Sequence, residues 1–582
     1  MKKLLGYFKE FKYQSVLGPF FKLLEATFEL LVPFVIGLIV DKGLGKSVNG
    51  SYPYADIPYI IKMCLILAGF GLVGFIFSIT AQYFSAKAAT GIGSRVRRDL
   101  FAKIQTLSYK DIDQIGASTM ITRMTGDVDK LQTAVNLALR LFLRSPFIVF
   151  GAMITAYLIE PKVTGIFAVT IVALAIVVYA VMFICMPLYK KSQEKLDAVT
   201  LSTRENLTGV RVIRAFCQEE KEQQIFNTRN IGLTKERTFV GGIASITNPL
   251  TYILINLSIV WLIYSGAVQV SYGNLSQGNV LALYNLMGQI LIELIKLANL
   301  IVTVTKGLAS GKRIQAILDI QPCLSLKESE KADADKPFVL FEKVGLTYVE
   351  GVSPALDNIN FFVQRGQTVG IIGGTGAGKS SLIHLIPHFY DATAGAVYVD
   401  GKNVKDKDVQ EYLRSKIAIV PQKAILFKGT LRENLLWGKA DATDEELWEA
   451  LRLAQAEDFV LAKGGLDCKV LQGGKNFSGG QKQRLTIARA LVRKPEILIL
   501  DDSASALDYA TDASLRRDIA TLNTTVFIVS QRTSSVRNAD KIIVLEDGKM
   551  VGEGTHDTLM QNCKVYREIY HSQYKSEQEV AV

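Results

Sequence analysis

Six long apolar segments, near residues 16–40, 57–85, 136–159, 163–187, 246–270 and 279–305, constrain this chain more than any other feature. Each is long enough to cross about 30 Å of hydrocarbon. Lipid offers no partner to an unpaired backbone N–H or C=O, so segments that cross it one at a time fold as helices. The chain has 582 residues, 49% of them hydrophobic, with a mean hydropathy of +0.23 that a soluble protein of this size rarely reaches. A formal charge of +11 raises nucleic acid as a partner, but the distribution of charge argues against it. Lys87, Arg95, Arg97, Arg98, Lys103, Lys110, Arg123 and Lys130 lie between the second and third segments. A second basic set, Lys190 to Arg237, lies between the fourth and fifth, whereas the opposite loops offer little beyond Lys42, Lys46 and Lys162. By the positive-inside rule this is a multi-pass membrane protein with both termini in the cytoplasm.

The residues before the first segment, 1–13, alternate Lys with Leu, Tyr and Phe and lack a cleavage site. They read as an amphipathic helix lying on the membrane, not as a secretory signal. Six cysteines (Cys64, Cys185, Cys217, Cys323, Cys468 and Cys563) are scattered without metal-binding or disulfide spacing and read as reduced thiols. The two basic loops keep helical periodicity, so helices continue out of the membrane and turn back near Tyr109 to Gln114 and Val212 to Glu219.

A charged stretch, Leu326 to Lys336, separates this half from a second with a different grammar. Thr368 to Ile372, Ile417 to Val420, Ile497 to Leu500 and Thr525 to Val529 are continuous apolar runs, as in a parallel sheet buried on both faces. Asp547-Gly548 reads as a hairpin turn, and Thr443 to Glu446 as a capping box that opens a helix. The fold class is a polytopic α-helical membrane domain, 1–320, joined by a linker, 321–336, to an α/β P-loop domain, 337–574, with a tail, 575–582.

Three motifs carry chemistry. Gly373, Gly374, Thr375, Gly376, Ala377, Gly378, Lys379 and Ser380 match the phosphate-binding P-loop, between an expected strand and an expected helix, with Ser381 next in line. Backbone N–H groups there cradle phosphates, Lys379 reaches the β and γ groups, and Ser380 ligates Mg²⁺. Ile497 to Asp501 is a strand ending in a carboxylate suited to the same Mg²⁺. Ser478, Gly479, Gly480 and Gln481 open a helix whose N–H groups suit a phosphate as well.

In this order and spacing the motifs resemble those of half-transporters of the ABC exporter family, multidrug type. The resemblance covers nearly the whole chain. It implies six spans with long intracellular helices, two coupling helices, an elbow helix, and one ATP-binding cassette with a helical subdomain. It makes Tyr348 the adenine-stacking residue, Gln422 the Q-loop residue at Mg²⁺ and water, Ser478 to Gln481 a signature that closes on ATP held by a second cassette, and Asp508 the D-loop link between sites. Two positions depart from the family. The residue after the Walker B aspartate is normally Glu and here is Asp502; the lost methylene retracts the carboxylate by roughly 1.5 Å, a scale on which misplacement costs about 10²-fold. The switch histidine is replaced by Gln531, which hydrogen-bonds but cannot carry a proton. Gln472 also stands where exporters carry Glu, with either a transmission role or none. The chain therefore resembles the degenerate-site subunit of a heterodimeric exporter: ATP in its own site turns over slowly, and its intact signature completes the partner's site.

Glu25, Glu29, Glu293 and Lys296 lie within expected spans, where ionisable groups are expensive. Either they face a cavity, which suits cationic amphiphiles and a hydrophobic or amphipathic, multidrug-type substrate, or Glu293 and Lys296 pair with each other while Glu25 and Glu29 sit near the cytoplasmic end. Asp41 is either part of an outer gate or an interfacial cap. The alternatives are lipid or peptide export, the latter disfavoured because no peptidase-like region precedes the first span, and a regulatory or ATP-gated subunit. The expected partners are a second half-transporter, membrane lipid and the substrate.

Overall fold

The structure, a computed structural model, describes residues 2–44, 55–321, 336–349, 351–406 and 409–573. Lys46, most of the expected linker with Cys323, and the tail 575–582 lie outside the described residues. The chain divides into two units: residues 1–105 with 117–320, and residues 106–116 with 321–582.

Six helices long and apolar enough to cross a membrane dominate the first unit: Lys12–Gly43, Ile57–Thr106, Ala117–Ile159, Pro161–Ala215, Glu219–Ser271 and Gln277–Leu318. The fourth runs for 55 residues. At 1.5 Å per residue that is about 80 Å, more than twice what hydrocarbon requires, so the polar end continues beyond the bilayer. The sixth helix is the axis of the packing, with Leu283, Leu286, Met287 and Ile290 fully buried in a cluster with Ile148, Phe167 and Leu262. It meets the first helix at a glycine pair: a Cβ on Gly278 would lie 2.0 Å from the Gly37 carbonyl oxygen. Asp41, on a widened π-helical turn, Ile39–Gly43, accepts a hydrogen bond from Ser276 Oγ and one from the Gly278 N–H at 2.7 Å. It thus caps the sixth helix across the chain.

The two connectors differ. The first is a helix of its own, Tyr109–Ile115, opened by a capping box between Ser108 and Asp111 and closed by Gly116 at φ +79°. The second is a turn over residues 216–218, with Cys217 at φ +52°, and no separate helix.

The second unit holds twelve strands among its described residues: β1 Val339–Leu346, β2 Leu356–Val363, β3 Thr368–Gly373, β4 Ala394–Val399, β5 Lys402–Asn403, β6 Ile417–Val420, β7 Gly429–Thr430, β8 Lys469–Val470, β9 Ile497–Asp501, β10 Thr525–Val529, β11 Lys541–Glu546 and β12 Lys549–Gly554. The central sheet runs β12-β11-β3-β10-β9-β6, parallel except for the hairpin β11–β12. Both turn residues of that hairpin have positive φ, Asp547 at +45° and Gly548 at +77°, as a tight two-residue turn demands. Every residue of β9 and β10 is buried, which explains their unbroken apolar runs. A smaller antiparallel sheet, β2-β1-β4-β5, and a helical subdomain that includes Asp444–Leu453 and Gly479–Val492 complete the unit. The Tyr109–Ile115 segment belongs here too: Tyr109 stacks on Phe389 at 4.3 Å, and Tyr390 donates to Asp113 at 2.6 Å.

Candidate functional site

In an open parallel sheet, ligands bind outside the carboxyl ends of the strands. Four strands of the central sheet deliver the expected residues to that edge. The P-loop follows β3, Gln422 follows β6, Asp501 ends β9 with Asp502 next, and Gln531 follows β10. Together with Tyr348 they line one cleft of about 360 Å³. The turn into the following helix is closed by Gly378 at φ +91°; a Cβ there would lie 2.5 Å from the Ala355 carbonyl oxygen, so glycine is required.

Lys379 is buried at the cleft base, its ammonium donating to the carbonyls of Gly373 at 2.9 Å and Gly374 at 2.6 Å. Ser380 Oγ donates to Asp501 Oδ1 at 3.0 Å, placing a hydroxyl and a carboxylate side by side as a hard cation prefers. Burial pushes the Lys379 ammonium below its usual pKa and the Asp501 carboxyl above its own, Ser380 partly opposing the latter. Poorly solvated charges of both signs suit a ligand that brings its own, such as a polyphosphate with a divalent cation. The residues present fit that group.

Asp502 is fixed by its backbone, at φ +45° with its N–H on the Val529 carbonyl at 3.0 Å. Gln422 Nε2 donates to its Oδ2 at 3.3 Å. Burial raises the Asp502 carboxyl's pKa, against the pull of Gln422, Lys379 and Arg532. Gln531 lines the cleft from an exposed loop, its carbonyl accepting from Gln573 Nε2 at 2.6 Å. Tyr348 donates to Ser381 Oγ at 2.9 Å, with its ring edge-on to Tyr390 at 5.1 Å.

The signature is not part of this cleft. Ser478 caps the helix Gly479–Val492, its hydroxyl accepting from the Gln481 N–H while the Gln481 side chain accepts from its own. Ser478 and Gly479 are exposed, and a Cβ on Gly480 would sit 2.9 Å from the Ala506 carbonyl oxygen. Asp508 also stays outside, capping the helix Tyr509–Ala520 through the Thr511 N–H at 2.8 Å. Gln472 lies exposed in a short 3₁₀ turn.

One model, ABC transporter transmembrane region, matches residues 15–294, and another, ABC transporter, matches residues 356–505. An uncharacterized ABC transporter ATP-binding protein, YfiB of Bacillus subtilis (strain 168), is 33% identical over 99% of both chains. The chain belongs to the ABC transporter family. As such it is an ATPase-coupled transporter, and its cassette binds ATP. A second relative, an ATP-dependent lipid A-core flippase of Desulfotalea psychrophila (strain LSv54 / DSM 12343), is 32% identical over 83% of this chain and 85% of its own. The fold is that of a bacterial Atm1-family ABC exporter solved with ATP bound, at a TM-score of 0.80 and 22% identity, covering 97% of this chain and 99% of that one.

In the membrane unit of this ABC transporter the acidic residues are not free. Arg144, only 6% exposed, donates to Glu293 at 2.5 Å and to Glu29 at 2.6 Å. Glu293 also accepts from Ser145 at 2.7 Å and from Lys296 at 2.8 Å. Lys22 pairs with Glu25 at 2.5 Å. Glu293 and Lys296 pair with each other, whereas Glu25 and Glu29 pair with Lys22 and Arg144, two partners that the sequence reading did not name. Lys22 and Arg144 were missed, although each stands inside an apolar segment and Lys22 lies one helical turn from Glu25.

Proposed function

We propose that this chain is the degenerate-site half of a heterodimeric exporter, moving hydrophobic or amphipathic compounds outward across the cytoplasmic membrane. The observation that carries the reading is the pairing of Asp502 and Gln531 at one cleft: the carboxylate is one methylene short, and the switch side chain cannot hold a proton. Lys379, Ser380, Asp501 and Gln422 hold Mg²⁺ and ATP here, Tyr348 stacks on the adenine, and hydrolysis is slow. Ser478 to Gln481, outside their own cleft and with Ser478 and Gly479 exposed, serve the nucleotide of a partner cassette, with Asp508 linking the two sites. The similarity to a lipid A-core flippase supports lipid as an alternative cargo, because the paired membrane charges leave no acidic surplus for cationic drugs.

The test is subunit identity together with ATP turnover. The tagged chain, coexpressed with the products of neighbouring genes, is expected to copurify one to one with a second half-transporter. The pair hydrolyses ATP, and this chain alone is nearly inert until Asp502→Glu and Gln531→His are introduced together. A chain that runs alone as a brisk homodimeric ATPase refutes the reading. Nucleotide-driven opening without accumulation against a gradient marks the ATP-gated alternative.

A further inference from the structure

Gln531 lines the nucleotide cleft, but its backbone is held by a residue far along the chain. β10 ends at Val529, and the buried Ser530 is still fixed to β3 by its N–H on the Ile371 carbonyl at 3.1 Å. A four-residue helix, Thr533–Val536, follows at once. Its first N–H groups have no partner within the helix, and a Ser, Thr, Asp or Asn at the cap ordinarily accepts from one of them. Here the cap position is Arg532, whose side chain makes no such bond. Gln573 supplies it from 40 positions away: its Oε1 accepts from the Thr533 N–H at 2.8 Å and from the Thr533 hydroxyl at 3.0 Å. Its Nε2 donates to the Gln531 carbonyl at 2.6 Å, the only hydrogen bond to the Gln531 backbone among the described residues.

One carboxamide thus caps a helix with its acceptor and grips a cleft residue with its donor. The Gln573 side chain is exposed, yet its helix, Lys564–Gln573, is firmly seated. Tyr566 is fully buried and shares a hydrogen bond with His556 Nδ1 at 2.8 Å, and Ile569 packs against the cassette core. Tyr566, Ile569 and Gln573 stand at i, i+3 and i+7, one face of a helix, so seating the first two aims the third at the loop. Arg532 reaches elsewhere, donating to the carbonyls of Ser505 at 3.4 Å and Leu507 at 3.3 Å. We propose that Gln573 is a positioning residue of the nucleotide site: by clasping the Gln531 carbonyl it sets where the Gln531 side chain stands against the terminal phosphate of ATP. The inference rests on the placement of Gln531 at that phosphate, and not on slow turnover or on the partner.

The test reads nucleotide preference on this chain within the complex as it purifies. Azido-ATP is photocrosslinked on ice, this chain is separated on a gel, and labelling is competed with AMP-PNP, which carries a third phosphate group, or with ADP, which does not. Gln573→Glu keeps the acceptor for Thr533 and replaces the donor with a carboxylate oxygen that repels the Gln531 carbonyl. It is expected to weaken competition by AMP-PNP about tenfold, the scale of one hydrogen bond to a charged group, and to leave competition by ADP unchanged. Its cap, now charge-assisted, should keep the melting temperature near that of the unaltered complex. Gln573→Ala, which also loses the cap, should show the same nucleotide effect with a lower melting temperature. A merely structural clasp would weaken AMP-PNP and ADP alike; that result, or unchanged competition by both, overturns the proposal. Gln531→Ala separates the two failures. If it weakens AMP-PNP selectively while neither Gln573 variant does, the clasp is refuted and the placement of Gln531 stands. If it weakens neither nucleotide, that placement is wrong and the proposal falls with it.

Discussion

Replacing Arg144 with methionine tests whether the charge network holds the membrane unit together. The side chains it releases are unequally placed. Glu29 is 40% exposed and rehydrates at little cost, whereas Glu293 is 3% exposed and does not. Glu293 would keep Lys296 and Ser145, so it would be weakened without being orphaned. Removing one partner of a buried ion pair costs about 3–5 kcal/mol, and the remaining contacts place this case near 3. With about 2–4 °C per kcal/mol for domains of 150–250 residues, the unfolding midpoint should fall by roughly 6–12 °C. The assay is intrinsic-fluorescence melting of purified protein in detergent, run as a double-mutant cycle with Glu293→Gln. In the doubly substituted protein no buried carboxylate is left uncompensated, because only the exposed Glu29 loses its partner, so more than half of the loss should return. If the two substitutions simply add, the pair is not coupled and the account of the network fails.

Other predictions rest on the cassette. Gly378→Ala places a Cβ 2.5 Å from the Ala355 carbonyl at φ +91°. Strain of about 1–3 kcal/mol is expected to lower ATP affinity at least several-fold by equilibrium binding. Tyr390→Phe removes the donor to Asp113 and should cost about 1 kcal/mol in melting while leaving ATP affinity unchanged. Glu446 is held down at about 2 by hydrogen bonds from Lys439, then Lys494 and the Thr443 N–H. A depressed carboxyl stabilises the fold above its unfolded pKa, so this contribution should be present above pH 4.5 and lost as pH falls toward 2. Glu446→Gln should flatten that part of the melting-versus-pH curve.

The cassette was legible because its signals are local. The P-loop, the apolar runs of β9 and β10, the Asp547-Gly548 turn and the Thr443 capping box each announce themselves within a few residues. The six membrane helices were legible because lipid leaves the backbone no choice. What escaped was pairing across sequence. Arg144 meets Glu293 from 149 positions away and Tyr390 meets Asp113 from 277, and no periodicity encodes either. The contact between Gln422 and Asp502 escaped for the same reason, since each residue was read for a role of its own. The second connector's lack of a helix also had no local marker: its flanks are as helical as those of the first.

The segment Thr106–Gly116 is integrated with a unit whose remaining residues begin at Gln321. A ribosome adding about 5–20 residues per second finishes that segment long before Phe389 and Tyr390 exist to receive it, leaving an interval of roughly 15–55 s. During biogenesis Tyr109 and Asp113 therefore wait without their partners, and the cassette seats onto a stretch of chain laid down earlier. Truncation would expose this dependence: a cassette produced from residue 321 onward lacks part of its own fold, and supplying residues 106–116 as a separate peptide should raise its melting temperature.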